Sequence, residues 1–251
     1  MPAAYDHFDY QSYWCKREYE HQSEVIAFKK FLEKIKKINT LADIGCGYGR
    51  LLPVYYHRTK RIILTDPSAS LLSDLRDNIK KIQTRHHASK ENIKIIQSKA
   101  ENLHGKIYKN TVDLAVLVRV IHHIEDPDKI IAIISKMLKK DGYLILEFAN
   151  KIHGKAIIKN LLHGDLVYPA NILPKQIGES FNNYHPDMIK ALLHKYKFEI
   201  IDIRSVSNVR SSILKRHLPL SVLLWLEQYL QIWLAKFKFG PSIFVLAKKR
   251  G

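Results

Sequence analysis

The clearest candidate for ligand binding is a glycine-rich turn, Asp-Ile-Gly-Cys-Gly-Tyr-Gly, that runs from Asp43 to Gly49. Gly45, Gly47 and Gly49 permit positive φ angles and let a ligand approach the backbone closely. A helix is predicted to begin within Arg50–Tyr56, and its N-terminus can hold a negative group such as a carboxylate. Asp43 ends the apolar segment before the turn, where its side chain can accept a hydrogen bond from an ammonium group.

A second acidic residue, Asp66, follows the apolar run 62–65. A carboxylate at the end of a second strand can accept hydrogen bonds from both hydroxyls of a ribose. Gly47 and Asp66 are separated by about 20 residues, which is the spacing of a turn, a helix and a strand. The glycine turn alone is compatible with several nucleotide ligands. Together with Asp66 it predicts a site for a ligand that contains a nucleoside.

These residues meet only if the strands before them lie side by side. Short apolar segments alternate with longer amphipathic ones, which predicts a parallel sheet covered by helices on both faces. In such a sheet, ligands bind beyond the carboxyl ends of the strands. The predicted helices are Ala69–Lys81, Pro127–Leu138 and Pro186–Lys195. The predicted strands are Thr40–Ile44, Arg61–Thr65, Asn92–Gln97, Asp113–Val118, Gly142–Phe148, Phe198–Val206 and Ser242–Ala247.

Three longer segments do not fit this alternation. Tyr13–Ile38 has helical spacing and is expected to pack on the sheet edge or to cover a site. Lys151–Asn182 has no clean period, and Ser207–Gly240 is too long for an ordinary crossover, so we predict a helical insertion. Within it, Pro219–Phe239 predicts a helix with an apolar side of roughly 200°. That helix either packs on the domain or in a dimer interface, or lies on a membrane surface.

The composition points to a basic protein with a sizeable core. Among 251 residues, 41 Lys and Arg stand against 24 Asp and Glu, for a net charge of +17. Such a charge favours nucleic acid, an anionic membrane or an acidic substrate, or serves solubility alone. Cys15 and Cys46 form neither a disulfide framework nor a metal-ligand cluster, so we expect no metal and a reducing, cytoplasmic location. Met1–Tyr10 lacks the apolar region of a secretory signal, and no apolar run is long enough to span a bilayer.

Four segments resemble motifs of the class I S-adenosylmethionine (SAM) methyltransferases, in particular the UbiE-like small-molecule group; they are residues 41–50, 64–68, 113–124 and 138–147. Gly49 comes one residue too early for the NAD fingerprint G-x-G-x-x-G. The resemblance covers Thr40 to Asn150. It implies an α/β fold, a Rossmann-like three-layer sandwich whose seven-stranded sheet is mostly parallel with an antiparallel last strand. We expect one domain over 1–251, with an N-terminal cover (13–38), a SAM-binding core (40–150) and helical cap insertions (151–182 and 207–240).

The resemblance also implies SAM as cofactor, S-adenosylhomocysteine as product, and a set of binding residues. Lys99 stands where the family usually has the acid that reads the adenine amine, so Glu101 or the backbone of Ala100 is expected to make that contact. Arg17 is expected to pair with the SAM carboxylate, because a guanidinium matches carboxylate geometry. The predicted cofactor-binding residues are Asp43, Gly45, Cys46, Gly47, Asp66, Pro67, Ala100, Glu101, Arg119 and Arg17.

Catalysis requires an acceptor aligned with the methyl group and, when the acceptor enters protonated, a general base. His122, His123 and Glu147 are candidates because they lie near predicted strand ends. The sequence lacks an Asn-Pro-Pro-Tyr motif for exocyclic amines, and neither cysteine is placed as a nucleophile. We therefore expect methyl transfer to a small-molecule or lipid-like acceptor. The alternatives are an RNA methyltransferase, favoured by the basic charge, and a non-catalytic SAM-binding partner protein.

Overall fold

The computed structural model describes residues 10–86, 92–165, 167–177, 181–209 and 211–251, so most of the Met1–Tyr10 segment lies outside the described residues. Its centre is a seven-stranded sheet with the order β3-β2-β1-β4-β5-β9-β8. β9 runs antiparallel to both β5 and β8, and the other neighbouring strands are parallel. The predicted sheet is thus confirmed. Its strands are β1 Ile38–Ile44, β2 Thr59–Asp66, β3 Ile93–Gln97, β4 Val112–Leu117, β5 Leu138–Ala149, β8 Phe198–Val206 and β9 Ser242–Lys249, and a separate hairpin pairs β6 Lys175–Ile177 with β7 Phe181–Asn183.

Helices cover both faces of this sheet and complete a three-layer, Rossmann-like sandwich. The helices are α1 Tyr10–Cys15, α2 Glu18–Glu33, α3 Leu52–Tyr55, α4 Ala69–His86, α5 Pro127–Met137, α6 Gly154–Leu162, α7 Pro186–Lys195, α8 Ser212–His217 and α9 Leu220–Lys236. One apolar core lies between the sheet and the pair α5 and α7. A second core lies between the opposite face and α2, α3 and α4.

The starts of α5 and α7 show why these helices can be predicted from the sequence. Pro127 and Pro186 occupy the first turns of α5 and α7, where a missing N–H group leaves no bond unmade. The side chain of Asp126 caps α5 by accepting a hydrogen bond of 3.1 Å from the backbone N of Lys129. His185 caps α7 in the same way through the backbone N of Asp187. These local signals place α7 at its predicted bounds.

The N-terminal segment differs from the single helix predicted over Tyr13–Ile38. It forms α1 and α2, which are separated at Lys16 and Arg17, and Ile38 already begins β1. Arg17 has a non-helical backbone, with φ −130° and ψ 40°. The break turns α1 back so that Trp14 is buried. Both helices have similar apolar spacing, so the sequence pattern does not reveal this change of direction.

Two long connections lie at the carboxyl edge of the sheet. β5 ends at Ala149 and β8 ends at Val206, and both of these residues pair with Ser242, the first residue of β9. The connection 150–185 carries α6 and the small hairpin, and the connection 207–241 carries α8 and α9. α9 packs against β8 and α2. Over the described residues, no helix is both long and apolar enough to cross a membrane.

Candidate cofactor and active site

The glycine turn lies at the carboxyl edge, directly after β1. Gly45 and Gly47 have φ angles of 72° and 54°, in the left-handed region that favours glycine. A Cβ atom at Gly45 would lie 2.3 Å from Cγ2 of Val120, so no side chain fits there. The backbone N atoms of Gly45 and Cys46 donate to the carbonyl oxygen of Thr65 at 2.7 and 3.0 Å. These hydrogen bonds hold the turn against the end of β2. Because its glycines have no side chains, a ligand in the cavity can approach the backbone of the turn directly.

Asp66 connects this turn to the next one. Its Oδ2 accepts from the backbone N of Gly47 at 2.9 Å, and its Oδ1 accepts from the backbone N of Ser68 at 2.9 Å. A carboxylate oxygen has two lone pairs and can accept more than one hydrogen bond. Asp66 lines the cavity. Its chemistry fits the two hydroxyls of a ribose.

Asp43 is the second buried acid at this edge. Its Oδ2 accepts a hydrogen bond of 2.5 Å from the hydroxyl of Tyr55. Burial, helped by the nearby charge of Asp66, raises the pKa of Asp43 to about 7, although the Tyr55 hydrogen bond acts in the opposite direction. A cation beside Asp43 would offset the cost of burying the charged form. The site thus favours an ammonium group at this position.

A cavity of about 500 Å³ opens beside these acids, within the usual size range of small-molecule sites. Ser98 and Lys99 also border it, at the end where adenine is expected. Arg17 does not belong to its lining: its guanidinium lies over the ring of Tyr13, 4.2 Å from the ring centre. The predicted residues that do line the cavity are Asp43, Gly45, Cys46, Gly47, Asp66, Pro67, Ala100, Glu101 and Arg119.

A buried carboxylate on α2 connects two arginines of the cavity wall. Glu24 is fully buried, and its oxygens accept from Arg119 at 2.8 and 2.5 Å and from Arg50 at 2.5 Å. Burial raises the pKa of Glu24, but the two guanidinium groups outweigh this effect and hold it below its usual value. Two cations share one carboxylate, so this end of the cavity carries positive charge that suits the carboxylate of SAM.

Aromatic side chains of α1 lie over the same arginines. The Arg50 guanidinium lies 3.7 Å from the centre of the Trp14 ring. Tyr10 lines the cavity and meets the ring of Tyr48 edge to face, with ring centres 6.2 Å apart. Tyr10, Trp14, Glu24 and Arg50 received no predicted role. The available signals were an acid directly before the apolar run 25–28 and a cation directly after the last glycine of the turn.

The three candidate bases occupy different environments. His123 lines the cavity. His122 is buried behind it against Phe181, and burial, with the neighbouring His123 and Arg119 charges, lowers its pKa well below the usual value. Glu147 is also buried, and its oxygens accept from the backbone N of Arg119 at 2.8 Å and from the Ser242 hydroxyl at 2.6 Å. Of the three, His123 alone belongs to the lining formed by the described residues.

Comparison with known proteins agrees with this geometry. Residues 42–146 match the model of a family described as methyltransferase domain. The chain is 25% identical over 186 residues to the ubiquinone/menaquinone biosynthesis C-methyltransferase of Escherichia coli, covering 67% of this chain and 69% of that protein. It is 21% identical over 164 residues to the ubiquinone biosynthesis O-methyltransferase of Coxiella burnetii. The match covers 65% of the Coxiella protein, slightly less than two thirds of its length.

Among solved structures, the magnesium protoporphyrin IX methyltransferase of Synechocystis, with bound S-adenosylhomocysteine, matches with a TM-score of 0.60. The match covers 92% of this chain and 84% of that chain at 16% sequence identity, a level that shows the fold alone. The family match over the glycine turn and β2, the acids that line the cavity and the sheet order all agree. Residues 42–146 match a methyltransferase domain, and together these findings support a class I SAM-dependent methyltransferase.

Proposed function

We propose that this protein transfers the methyl group of SAM to a small-molecule, lipid-like acceptor. The observation that carries the proposal is that the glycine turn, Asp66 and His123 all line one cavity. The names of the relatives refer to quinone biosynthesis and to a magnesium porphyrin, which are small molecules. We extend that substrate class, but no particular acceptor, to this chain.

SAM supplies an already activated methyl group, so the protein's task is to bind, align and exclude water. In this proposal Asp66 accepts from the ribose hydroxyls and Asp43 from the ammonium group. Arg50 and Arg119 hold the carboxylate, in place of Arg17, because both residues line the cavity and Arg17 does not. Cys46 contributes backbone only, since burial raises the pKa of its thiol well above the usual value. The segment Ser98–Glu101 closes the adenine end.

His123 is the proposed general base, because it lines the cavity next to Val120 and Ile124. It would take the acceptor's proton as the methyl group is transferred. Glu147 and His122 would support the wall from behind, through the Arg119 backbone and the Phe181 ring. Tyr10 would exclude water from the cavity mouth.

Calorimetry with SAM and the variant Asp66→Ala tests the cofactor site. Losing two hydrogen bonds to a charged acceptor, each worth about 1.5–3 kcal/mol, should weaken SAM binding by at least about 100-fold. Asp77→Ala is the matched control, because Asp77 is an exposed acid on α4 that pairs with Lys80. Unchanged SAM affinity in a folded Asp66→Ala protein would remove Asp66 from the site.

The acceptor class is tested by turnover with SAM and three kinds of acceptor: lipid-like phenols, water-soluble small molecules and RNA. Methylation of the lipid-like compounds is the expected result. Salt-sensitive RNA binding with RNA methylation would favour the alternative that the charge of +17 suggests. SAM binding without turnover on any acceptor would favour a non-catalytic partner protein.

A further inference from the structure

Most of the exposed large apolar side chains of the described residues lie in two segments of the chain. All but three of the exposed ones lie in the connections 150–185 and 207–241; the exceptions are Tyr108, Ile201 and Ile203. A soluble monomer usually scatters such residues singly or keeps them in a patch with a function. Their concentration in two segments that share one edge of the sheet indicates a contact surface.

The exposed face of α9 is the largest part of this surface. Trp225, Tyr229 and Trp233 are 56%, 59% and 63% exposed. The buried face of the same helix carries polar groups: Glu227 accepts from the Tyr19 hydroxyl at 2.5 Å, and Gln231 donates to the Ser23 carbonyl oxygen at 2.8 Å. The helix therefore presents its aromatic side to the outside and holds its polar side against α2.

α6 continues the surface from the C-terminal end of α9. The ring of Phe239 lies so close to Gly154, the first residue of α6, that a Cβ atom there would be 2.3 Å from it. α6 buries only Gly154, and Ile158, Leu161 and Leu162 lie exposed at helical spacing on one side. We call the exposed apolar side chains of α6, residues 167–177, α8 and 220–239 the apolar edge surface.

Positive charge accompanies this surface. Of the described residues in the two connections, the exposed charged ones comprise one acid, Asp165, and five bases, which are Lys155, Lys159, Lys175, Arg216 and Lys236. The remaining acid of the second connection, Glu227, is buried. Bases beside exposed aromatic residues are the pattern of a surface that lies on anionic lipid.

We propose that the apolar edge surface docks on an anionic lipid bilayer. A second copy of the chain is a poorer occupant, because a symmetric interface would bring two copies of the same basic surface together. The bilayer provides apolar depth for Trp225 and Trp233 and anionic headgroups for the bases. Peripheral docking requires no helix that crosses the membrane.

The same surface gives the docked protein an orientation. Both connections emerge at the carboxyl edge of the sheet, where the glycine turn and the cavity also lie. Phe181 of the first connection contacts His122 and His123 directly, with ring centres 4.3 and 5.4 Å apart. Docking would bring the cavity edge toward the lipid phase. This last step rests on the proposed function: a lipid-like acceptor would reach His123 from the bilayer.

Vesicle co-sedimentation at low salt tests the docking. Wild-type protein should bind phosphatidylglycerol vesicles and release them at high salt. Trp225→Glu combined with Trp233→Glu should weaken binding roughly tenfold or more, since each ring loses its apolar burial. Lys155→Gln combined with Lys159→Gln should weaken binding to anionic vesicles roughly 25-fold, at about fivefold per charge, without changing the response to neutral phosphatidylcholine.

Tyr108→Glu is the matched control, because Tyr108 is 78% exposed but lies outside both connections; its vesicle binding should equal wild type. SAM calorimetry on every variant verifies an intact core. No binding of wild type to anionic vesicles overturns the proposal, as does self-association that Trp225→Glu abolishes, or tighter binding of RNA through the same lysines. Vesicle binding without methyl transfer would refute the proposed function and leave the docking surface standing. Methylation of a lipid-like acceptor without vesicle binding would refute the docking and leave the proposed function standing.

Discussion

Helices α5 and α9 contain similar apolar residues but direct them to opposite sides. α5 buries Ile130, Ile134 and Met137 against the sheet and exposes polar residues. α9 buries only Leu223, Glu227 and Gln231 and exposes Trp225. The difference teaches that an apolar helix face is evidence of burial against something, which need not be the protein's own core. In this molecule the partner of α5 is the sheet, and we propose that the partner of α9 is a bilayer.

The largest expected effect is a difference in stability when the same substitution, Ile to Ala, is made in each of the two helices. Ile134→Ala in α5 should lower the free energy of unfolding by about 2–5 kcal/mol, because it opens a cavity in a closed core. Ile232→Ala in α9, where the side chain is 50% exposed, should change it by about 0.5 kcal/mol or less. Urea unfolding of both variants measures this. Equal losses would mean that α9 is buried in solution and would break the comparison.

The polar face of α9 should behave as its core. Glu227 accepts from Tyr19 and from the backbone N of Ser207 at 2.8 Å, so Glu227→Ala leaves buried donors unpaired and should cost about 1–3 kcal/mol. Gln228→Ala is the control. Gln228 follows Glu227 in the sequence but its side chain is exposed, so this variant should have nearly the stability of wild type. If Glu227→Ala lowered the free energy of unfolding only slightly, the buried polar face of α9 would contribute little to stability.

The smallest expected effect concerns pH and contrasts two buried acids. Burial raises the pKa of both Asp43 and Glu227, but Asp43 faces the cavity. The pKa of Asp43 is about 7. If the SAM ammonium group requires ionised Asp43, SAM affinity reaches its full value when the pH is above this pKa. Below it, the affinity falls about tenfold for each pH unit.

Calorimetry between pH 5.5 and 7.5, in buffers of different ionisation heat, should detect about one proton released on binding at the acidic end. Asp43→Asn is the matched variant and should bind more weakly with a flat profile. A flat wild-type profile would remove Asp43 from the ammonium contact. Glu227→Gln should leave the wild-type slope unchanged, since Glu227 lies outside the cavity lining.

Much of the core was predictable because its signals are local. The strand segments, the proline-led starts of α5 and α7 and the spacing between Gly47 and Asp66 all reflect backbone or burial rules that act within a few residues. The prediction of one continuous helix over Tyr13–Ile38 was wrong, because the segment forms two helices. The apolar spacing does not change at the break between them, so the sequence pattern does not reveal it. Glu24 was missed as a site residue because its partners lie far along the chain, at Arg50 and Arg119.

The amino-acid sequence by itself determined the sheet, the glycine turn, the acids at its edge and the apolar character of Pro219–Phe239. The tertiary structure decided which side of α9 is exposed, that His123 and not Glu147 borders the cavity, and that Arg50 and Arg119 share Glu24. The physical reason is that local propensity depends on neighbouring residues. Side-chain direction and burial depend on which distant surface is available to pack against.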